Sequence, residues 1–214
     1  MNYKLSAKIS GYSLILMAII AAYTFGYLYP IFIGPFNVNL IDTILQKSFM
    51  YNLMVCGILI IILLDFILSY TLYVYFKTIN KVIALTSSIL RLTYTFIFII
   101  ATAYLIKNNI VEYHNDKFII YNFQQFNFIW SCGLIVFGMH LFLLGYLMKL
   151  HNIIPKTLWI ITLSGAISYI ILHLLIVIFE RNEFINIIEM VVVMPMIMSE
   201  LGLAIWLISK SQKN

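Results

Sequence analysis

Residues 50–76, MYNLMVCGILIIILLDFILSYTLYVYF, form an apolar run that contains one formal charge, on Asp65. About 20 apolar residues in a helix cross the hydrocarbon core of a bilayer. The rest of the chain has the same character, since 63% of its 214 residues are hydrophobic and 10% are charged. Soluble domains carry about 45–50% apolar and about 25% charged residues. The sequence therefore predicts an integral membrane protein and excludes a soluble globular fold.

Short polar connections divide the chain into six apolar runs. The predicted fold class is all-α, a polytopic membrane protein whose single domain covers residues 1–214. The six predicted transmembrane helices have approximate spans of 9–33, 50–76, 82–106, 126–148, 158–179 and 185–209. We expect Pro30 and Pro35 to break the first run, residues 37–48 to connect through a short surface helix, and residues 107–122 to form the longest polar loop.

The basic residues divide unequally between the two ends of these runs. One side carries eight of them, which are Lys4, Lys8, Lys77, Lys81, Lys149, Lys156, Lys210 and Lys213. The other side carries four, which are Lys47, Lys107, Lys117 and Arg181. Cytoplasmic loops carry the excess of Lys and Arg in membrane proteins. The distribution predicts that both termini lie in the cytoplasm and that the protein resides in the cell (inner, cytoplasmic) membrane.

Formal charges lie deep inside three of the runs, at Asp65, Arg91 and Glu200. Each costs about 2.5–3.5 kcal/mol at the centre of a bilayer unless it is paired or hydrated. A helical rise of 1.5 Å per residue, counted from the flanking lysines, places Asp65 roughly 18 Å deep, and Arg91, Glu200 and His140 roughly 14–15 Å deep. Four helices thus put a polar group in one layer. Because the helices of Asp65 and Arg91 are joined by a tight turn, we expect these two to form an ion pair.

Smaller polar residues accompany this buried polar layer. On the third predicted helix they recur at a spacing of three and four residues around Arg91, which places them on one face. Such a face is expected to point into the bundle. The supporting candidates are Ser69, one turn from Asp65, together with Ser87, Ser88, Tyr94 and Thr95.

No cofactor or metal site is predicted. A zinc site built from Asp65, His140 and Glu200 is disfavoured because Arg91 in the same layer would repel the metal. A haem between His140 and His173 is disfavoured because the two differ in depth by roughly 12 Å. The net charge of +5 is spread over helix ends rather than clustered, so no nucleic-acid partner is expected. The expected partners are the lipid bilayer and a small-molecule, ion or lipid ligand; no protein partner is indicated.

Short motifs along five of the six runs resemble an uncharacterised bacterial membrane family, domain of unknown function 4386. These motifs are AKISG (7–11), LY (72–73), NKVIAL (80–85), FGMH (137–140), LGYL (144–147), IP (154–155), EL (200–201) and AIWL (204–207). The family pattern includes the Asp, Arg, His and Glu that correspond here to Asp65, Arg91, His140 and Glu200. This chain has Ser199 where the family usually has Gly. The resemblance implies six helices and no established activity.

Three functions fit the buried polar layer. The first is binding or transport of a small solute or ion, which a cavity reaching the layer from the cytoplasm would favour. The second is an intramembrane enzyme acting on a lipid, with Glu200 or Asp65 as base, His140 as acid/base and Arg91 holding a phosphate or carboxylate; a sideways opening would favour it. The third is a structural role that stabilises a partner, favoured if there is no cavity. Catalytic residues are not assigned.

The charge asymmetry makes the topology testable. Reporter domains fused after Lys117 and after Lys213 should report opposite sides of the membrane, because an odd number of predicted helices separates them. Activity of both reporters on the same side would rule out this topology.

Overall fold

The computed structural model describes residues 2–33, 40–108, 115–179 and 181–211, and the predictions made for Pro35, residues 37–39 and Lys213 fall outside these ranges. Within them, six helices are long and apolar enough to cross a membrane. The predicted all-α membrane fold is therefore confirmed. The helices are α1 (Tyr3–Tyr23), which continues through a π-helical segment (Thr24–Leu28) into α2 (Tyr29–Ile33), then α3 (Leu40–Gln46), α4 (Ser48–Phe76), α5 (Lys81–Lys107), α6 (Asp116–Leu150), α7 (Lys156–Phe179) and α8 (Glu183–Ser211).

The six spans pack as a closed ring in chain order. The first span contacts α4, each later span contacts the next, and α8 returns to contact α1. Large apolar side chains such as Leu63, Phe96 and Ile178 cover the outside of the ring, where they are more than half exposed. This arrangement is expected of a membrane protein, because the outer face of the bundle contacts lipid tails, which are as apolar as these side chains. The polar side chains of the bundle are left to the inside.

Helix α6 begins earlier than predicted. It starts at Asp116, so residues 116–122 of the expected loop over residues 107–122 are helical, and the predicted span 126–148 lies inside a longer helix. The side chain of Asn115 caps the helix by accepting a hydrogen bond from the backbone N–H of Phe118. Asn122, the last residue of the expected loop, is buried and donates to the side chain of Asn108 at 2.6 Å.

The first span also differs from its prediction. It begins at Tyr3 instead of near Ile9, and it runs through Pro30 to Ile33 without a break. The backbone widens into the π-helical segment one turn before the proline. Wider turns of this kind accommodate irregularities inside a helix and are frequent at functional sites. The short helix expected between the first two runs is present as α3.

Glycine at position 165 lets α7 approach α8 closely. A Cβ atom at Gly165 would lie 2.8 Å from the carbonyl oxygen of Pro195 and 2.8 Å from the Cβ of Ser199. Helix α8 continues through Pro195. The same substitution at Gly26 would meet no atom within 4 Å. One glycine therefore holds a tight helix contact, and the other borders open space.

These two glycines form a matched test of the packing. Gly165→Ala should destabilise the protein by about 1–3 kcal/mol, because the α7–α8 contact must open to admit the methyl group. Gly26→Ala should leave the melting temperature unchanged or raise it slightly, since alanine favours helix. Thermal unfolding in detergent measures both. Equal melting temperatures for the two variants would show that α7 and α8 do not pack as described.

Candidate functional site

A buried ion pair joins α4 to α5 at the centre of the ring. Nε and Nη2 of Arg91 both donate to Oδ1 of Asp65, at 2.9 and 2.6 Å. Both side chains are 1% exposed. The other carboxylate oxygen of Asp65, Oδ2, is buried and has no hydrogen-bond partner among the described residues. The pair expected from the depth of the two residues thus exists, and it uses only one of the two oxygens.

The rest of the Arg91 guanidinium is also enclosed. Nη1 donates to Nε2 of His140 on α6 at 3.3 Å, and Nη2 lies 3.8 Å from the sulfur of Met17 on α1. The guanidinium carbon stands 5.3 Å from the ring centre of Phe137, within the range of a cation–π contact. Four spans therefore meet at one arginine.

His140 is fixed by its two ring nitrogens. Nδ1 lies 2.8 Å from the carbonyl oxygen and 2.8 Å from the hydroxyl oxygen of Ser87. Nδ1 therefore carries the proton, and Nε2 is the acceptor that faces Arg91. Since both nitrogens are engaged, His140 has no free lone pair for a metal or for proton transfer to a ligand.

The supporting residues lie around this centre, on the face expected from their spacing. The hydroxyl of Ser88 donates to the carbonyl oxygen of Ser69 on α4 at 2.8 Å. The hydroxyl of Thr95 donates to the carbonyl oxygen of Arg91 at 2.8 Å, and Tyr94 is buried beside it. The bond of Ser88 ties α5 to α4, that of Thr95 lies within α5, and both satisfy polar groups that would otherwise be costly in the bundle.

Glu200 is held separately from the ion pair. Its Oε1 accepts a hydrogen bond from the hydroxyl of Tyr169 on α7 at 2.9 Å. The structure therefore brings Asp65, Arg91 and His140 into direct contact and places Glu200 across from them on α8. Tyr169, Met17 and Phe137 complete the centre but were not predicted, because neither an apolar residue nor a tyrosine stands out in so aromatic a sequence.

A cavity of about 630 Å³ occupies the interior of the ring and connects Asp65 with Glu200. Residues of all six spans line it, and most of its wall is apolar. The aromatic part of the wall consists of Phe25, Tyr94, Phe98, Trp130, Phe137 and Tyr169. Arg91 and His140 are not among the lining residues, since both lie behind the carboxylate. The cavity therefore meets the buried layer at its two acids.

The cavity extends toward the end of the bundle that has few lysines. There it is lined by Arg181 and Glu189, whose side chains form an ion pair at 2.8 Å and are 55% and 34% exposed. Glu189 and Glu200 are eleven residues apart on α8, about 16 Å along the helix. A cavity reaching the layer from the lysine-rich, predicted cytoplasmic end was the feature that would favour solute binding. The cavity instead extends from the layer toward the opposite end.

Small residues on the first span leave room for the cavity. Ala18, Ala21, Ala22 and Gly26 line it from α1 and the π-helical segment. Toward the other end of the bundle Gly11 lets the same helix close against α8, where a Cβ atom would lie 2.9 Å from the carbonyl oxygen of Ala204. The first and last spans are thus in tight contact at one end and are separated by the cavity at the other. There the wall residues Ala22, Gly26 and Ile197 are exposed, so the cavity also opens sideways between these two spans.

Comparisons with known proteins identify a family but no activity. A family model described as Domain of unknown function (DUF4386) matches residues 9–211. An uncharacterized protein of Archaeoglobus fulgidus is 32% identical over 117 residues, which are 55% of this chain and 63% of the relative. The match thus covers less than two thirds of the relative's length. No solved structure matches the chain.

The ion pair can be tested by a double-mutant cycle. Asp65→Asn and Arg91→Gln should each destabilise the protein by about 3–5 kcal/mol, because each strands the other partner in the bundle. The double variant should recover part of this loss. The exposed pair Arg181 and Glu189 serves as the matched control, with single Gln substitutions expected to cost no more than about 1 kcal/mol. Losses at Asp65 and Arg91 that simply add in the double variant would contradict pairing.

Proposed function

The chain belongs to the family Domain of unknown function (DUF4386), and from its site we propose that the protein binds a small solute inside the ring of helices, as the binding step of transport. The observation that carries this proposal is the cavity between Asp65 and Glu200. Its volume of about 630 Å³ falls in the range of about 300–1,000 Å³ typical of small-molecule sites. Its wall also has the usual composition of such sites, apolar and aromatic with a few polar groups.

A purely structural role accounts less well for these features. An ion pair that only fixed helix packing would be surrounded by well-packed side chains, since protein interiors have few voids larger than a water molecule. Here Asp65 borders a space large enough for an organic molecule, and one of its oxygens is unpartnered among the described residues. The alanines and the glycine of the first span maintain that space.

Lipid chemistry directed by Arg91 is also disfavoured. The guanidinium is 1% exposed and is occupied by Asp65, His140, Met17 and Phe137. It cannot hold a phosphate or carboxylate in the cavity without leaving these partners. His140, assigned as acid/base in that alternative, lies behind Asp65 and does not line the cavity. The sideways opening that would favour lipid chemistry is present, but neither Arg91 nor His140 lines the cavity, so the geometry favours binding over catalysis.

The setting of this activity in the cell is part of the proposal. The excess of lysine at one end of the spans supports a cytoplasmic location for that end and for both termini, in the cytoplasmic membrane of the cell. The cavity would then be loaded from the outer side. A central site reached from one side is the arrangement that an alternating-access cycle requires of one of its states.

Blocking the cavity tests the proposal. The neutral fluorescent probe 1-aminoanthracene should bind saturably to wild-type protein and to Gly26→Ala in nanodiscs. It should lose that component in Gly26→Trp, because Gly26 lines the cavity and its Cβ would meet no atom within 4 Å, which leaves room for the indole. Ile19→Trp places the same indole on a residue of the same span that is 63% exposed and does not line the cavity, so this variant should still bind.

Binding that is equally strong in Gly26→Trp and Ile19→Trp would place the probe in the lipid or on the surface. Absence of any saturable binding to the wild type would remove the support for a solute site. Melting temperatures of the two tryptophan variants verify that both are folded.

A further inference from the structure

The two acids of the cavity are not balanced by a cation in its wall. At the inner end the lining residues include Asp65 and Glu200, and the one guanidinium nearby, that of Arg91, is enclosed behind Asp65. At the other end of the cavity, toward the end of the bundle that has few lysines, the charges of Arg181 and Glu189 cancel in their own ion pair. Counting formal charges, the buried layer has two carboxylates for one guanidinium.

Hydrogen bonding leaves three buried atoms of the wall residues without a partner among the described residues, which are Oδ2 of Asp65, Nε1 of Trp130 and Nδ1 of His173. Oδ2 of Asp65 is buried and receives no hydrogen bond from any described residue. A buried carboxylate oxygen without a donor is costly, and a charged donor contributes more than a neutral one. Glu200 receives one hydrogen bond, from Tyr169, through Oε1. An ionised carboxylate accepts through both oxygens, so Oε2 of Glu200 has capacity for a donor from a ligand, whereas Oδ2 of Asp65 is closed off from the cavity.

The wall between the acids suits the body of an organic cation. Six aromatic rings line the cavity, and those of Phe25 and Trp130 stack at a centroid distance of 4.5 Å. The faces of such rings attract cations, and their area buries apolar surface. An inorganic cation would instead need several oxygen ligands in place of this apolar wall.

We infer that the solute is a protonated amine with an apolar body, whose ammonium group lies beside Glu200, on the cavity side of Asp65, and whose body lies against the aromatic wall. This inference rests on the proposed solute binding and specifies its substrate class. The ammonium donates to Glu200, and its charge balances the carboxylate that Arg91 leaves unbalanced. An anionic solute would instead add to that unbalanced negative charge.

Three probes that share an apolar body test the head group. They are 4-phenylbutylamine, 4-phenylbutan-1-ol and 5-phenylpentanoate, which carry an ammonium, a hydroxyl and a carboxylate on the same chain. Each is added in competition with 1-aminoanthracene to wild-type protein at pH 7, in nanodiscs of zwitterionic lipid so that the bilayer does not enrich the cation. The amine should displace the probe at a concentration about tenfold or more below that of the alcohol, the difference that 1.4 kcal/mol of added affinity produces. The carboxylate should bind most weakly.

Glu200→Gln supplies the matched variant, since it removes the charge and keeps the shape without touching the Asp65–Arg91 pair. It should reduce the preference for the amine over the alcohol and leave the affinity for the alcohol near its wild-type value. Equal displacement by all three probes, or preference for the carboxylate, would overturn the inference while leaving solute binding intact. An amine preference unchanged in Glu200→Gln would also overturn the placement of the ammonium. Failure of the wild type to bind 1-aminoanthracene in the cavity would instead refute the proposed function itself.

Discussion

The structure depends on how one buried guanidinium is neutralised. Arg91 carries a charge that the bundle can accommodate only if it is paired, and its partner is a single oxygen of Asp65. Nη1 of the guanidinium and the ring of Phe137 then bring in α6, and Met17 brings in the first span. The ring of helices is therefore held at its centre by an ion pair and by the contacts that surround it.

The same interaction has a consequence for the cavity. A bidentate pair would occupy both oxygens of Asp65 and leave a closed polar cluster. Because Arg91 uses only Oδ1, Oδ2 stays without a donor among the described residues, enclosed beside a cavity that Glu200 lines. The proposed solute site and the ion pair that stabilises the bundle therefore share Asp65 as a neighbour.

Much of this centre could be predicted from the sequence, because charges are conspicuous in an apolar chain and lysines mark where each helix ends. Depth counted from Lys77 and Lys81 was sufficient to pair Asp65 with Arg91.

The contact of Glu200 with Tyr169 could not be predicted in this way, since the rotation of α8 depends on packing at Gly165 and Pro195. The cavity was also beyond sequence analysis. It arises where Ala18, Ala21, Ala22 and Gly26 face α8, and small residues in a membrane helix more often indicate close helix contact than open space. The extra turns of α6 before residue 126 could not be predicted either, because the polar side chain of Asn122 is buried in a hydrogen bond within the bundle.

The proposed site holds the ammonium of a solute at Glu200, while Oδ2 of Asp65 stays enclosed beside Arg91. The most direct test is a crystal structure in a lipidic mesophase of the protein soaked with 4-(4-bromophenyl)butylamine, with the bromine located by its anomalous scattering. We expect a bromine peak against the aromatic wall near Trp130, with the ammonium beside Glu200 and with Arg91 still bound to Oδ1 of Asp65. Bromine found only outside the ring of helices, or an ammonium bound away from Glu200, would contradict this site.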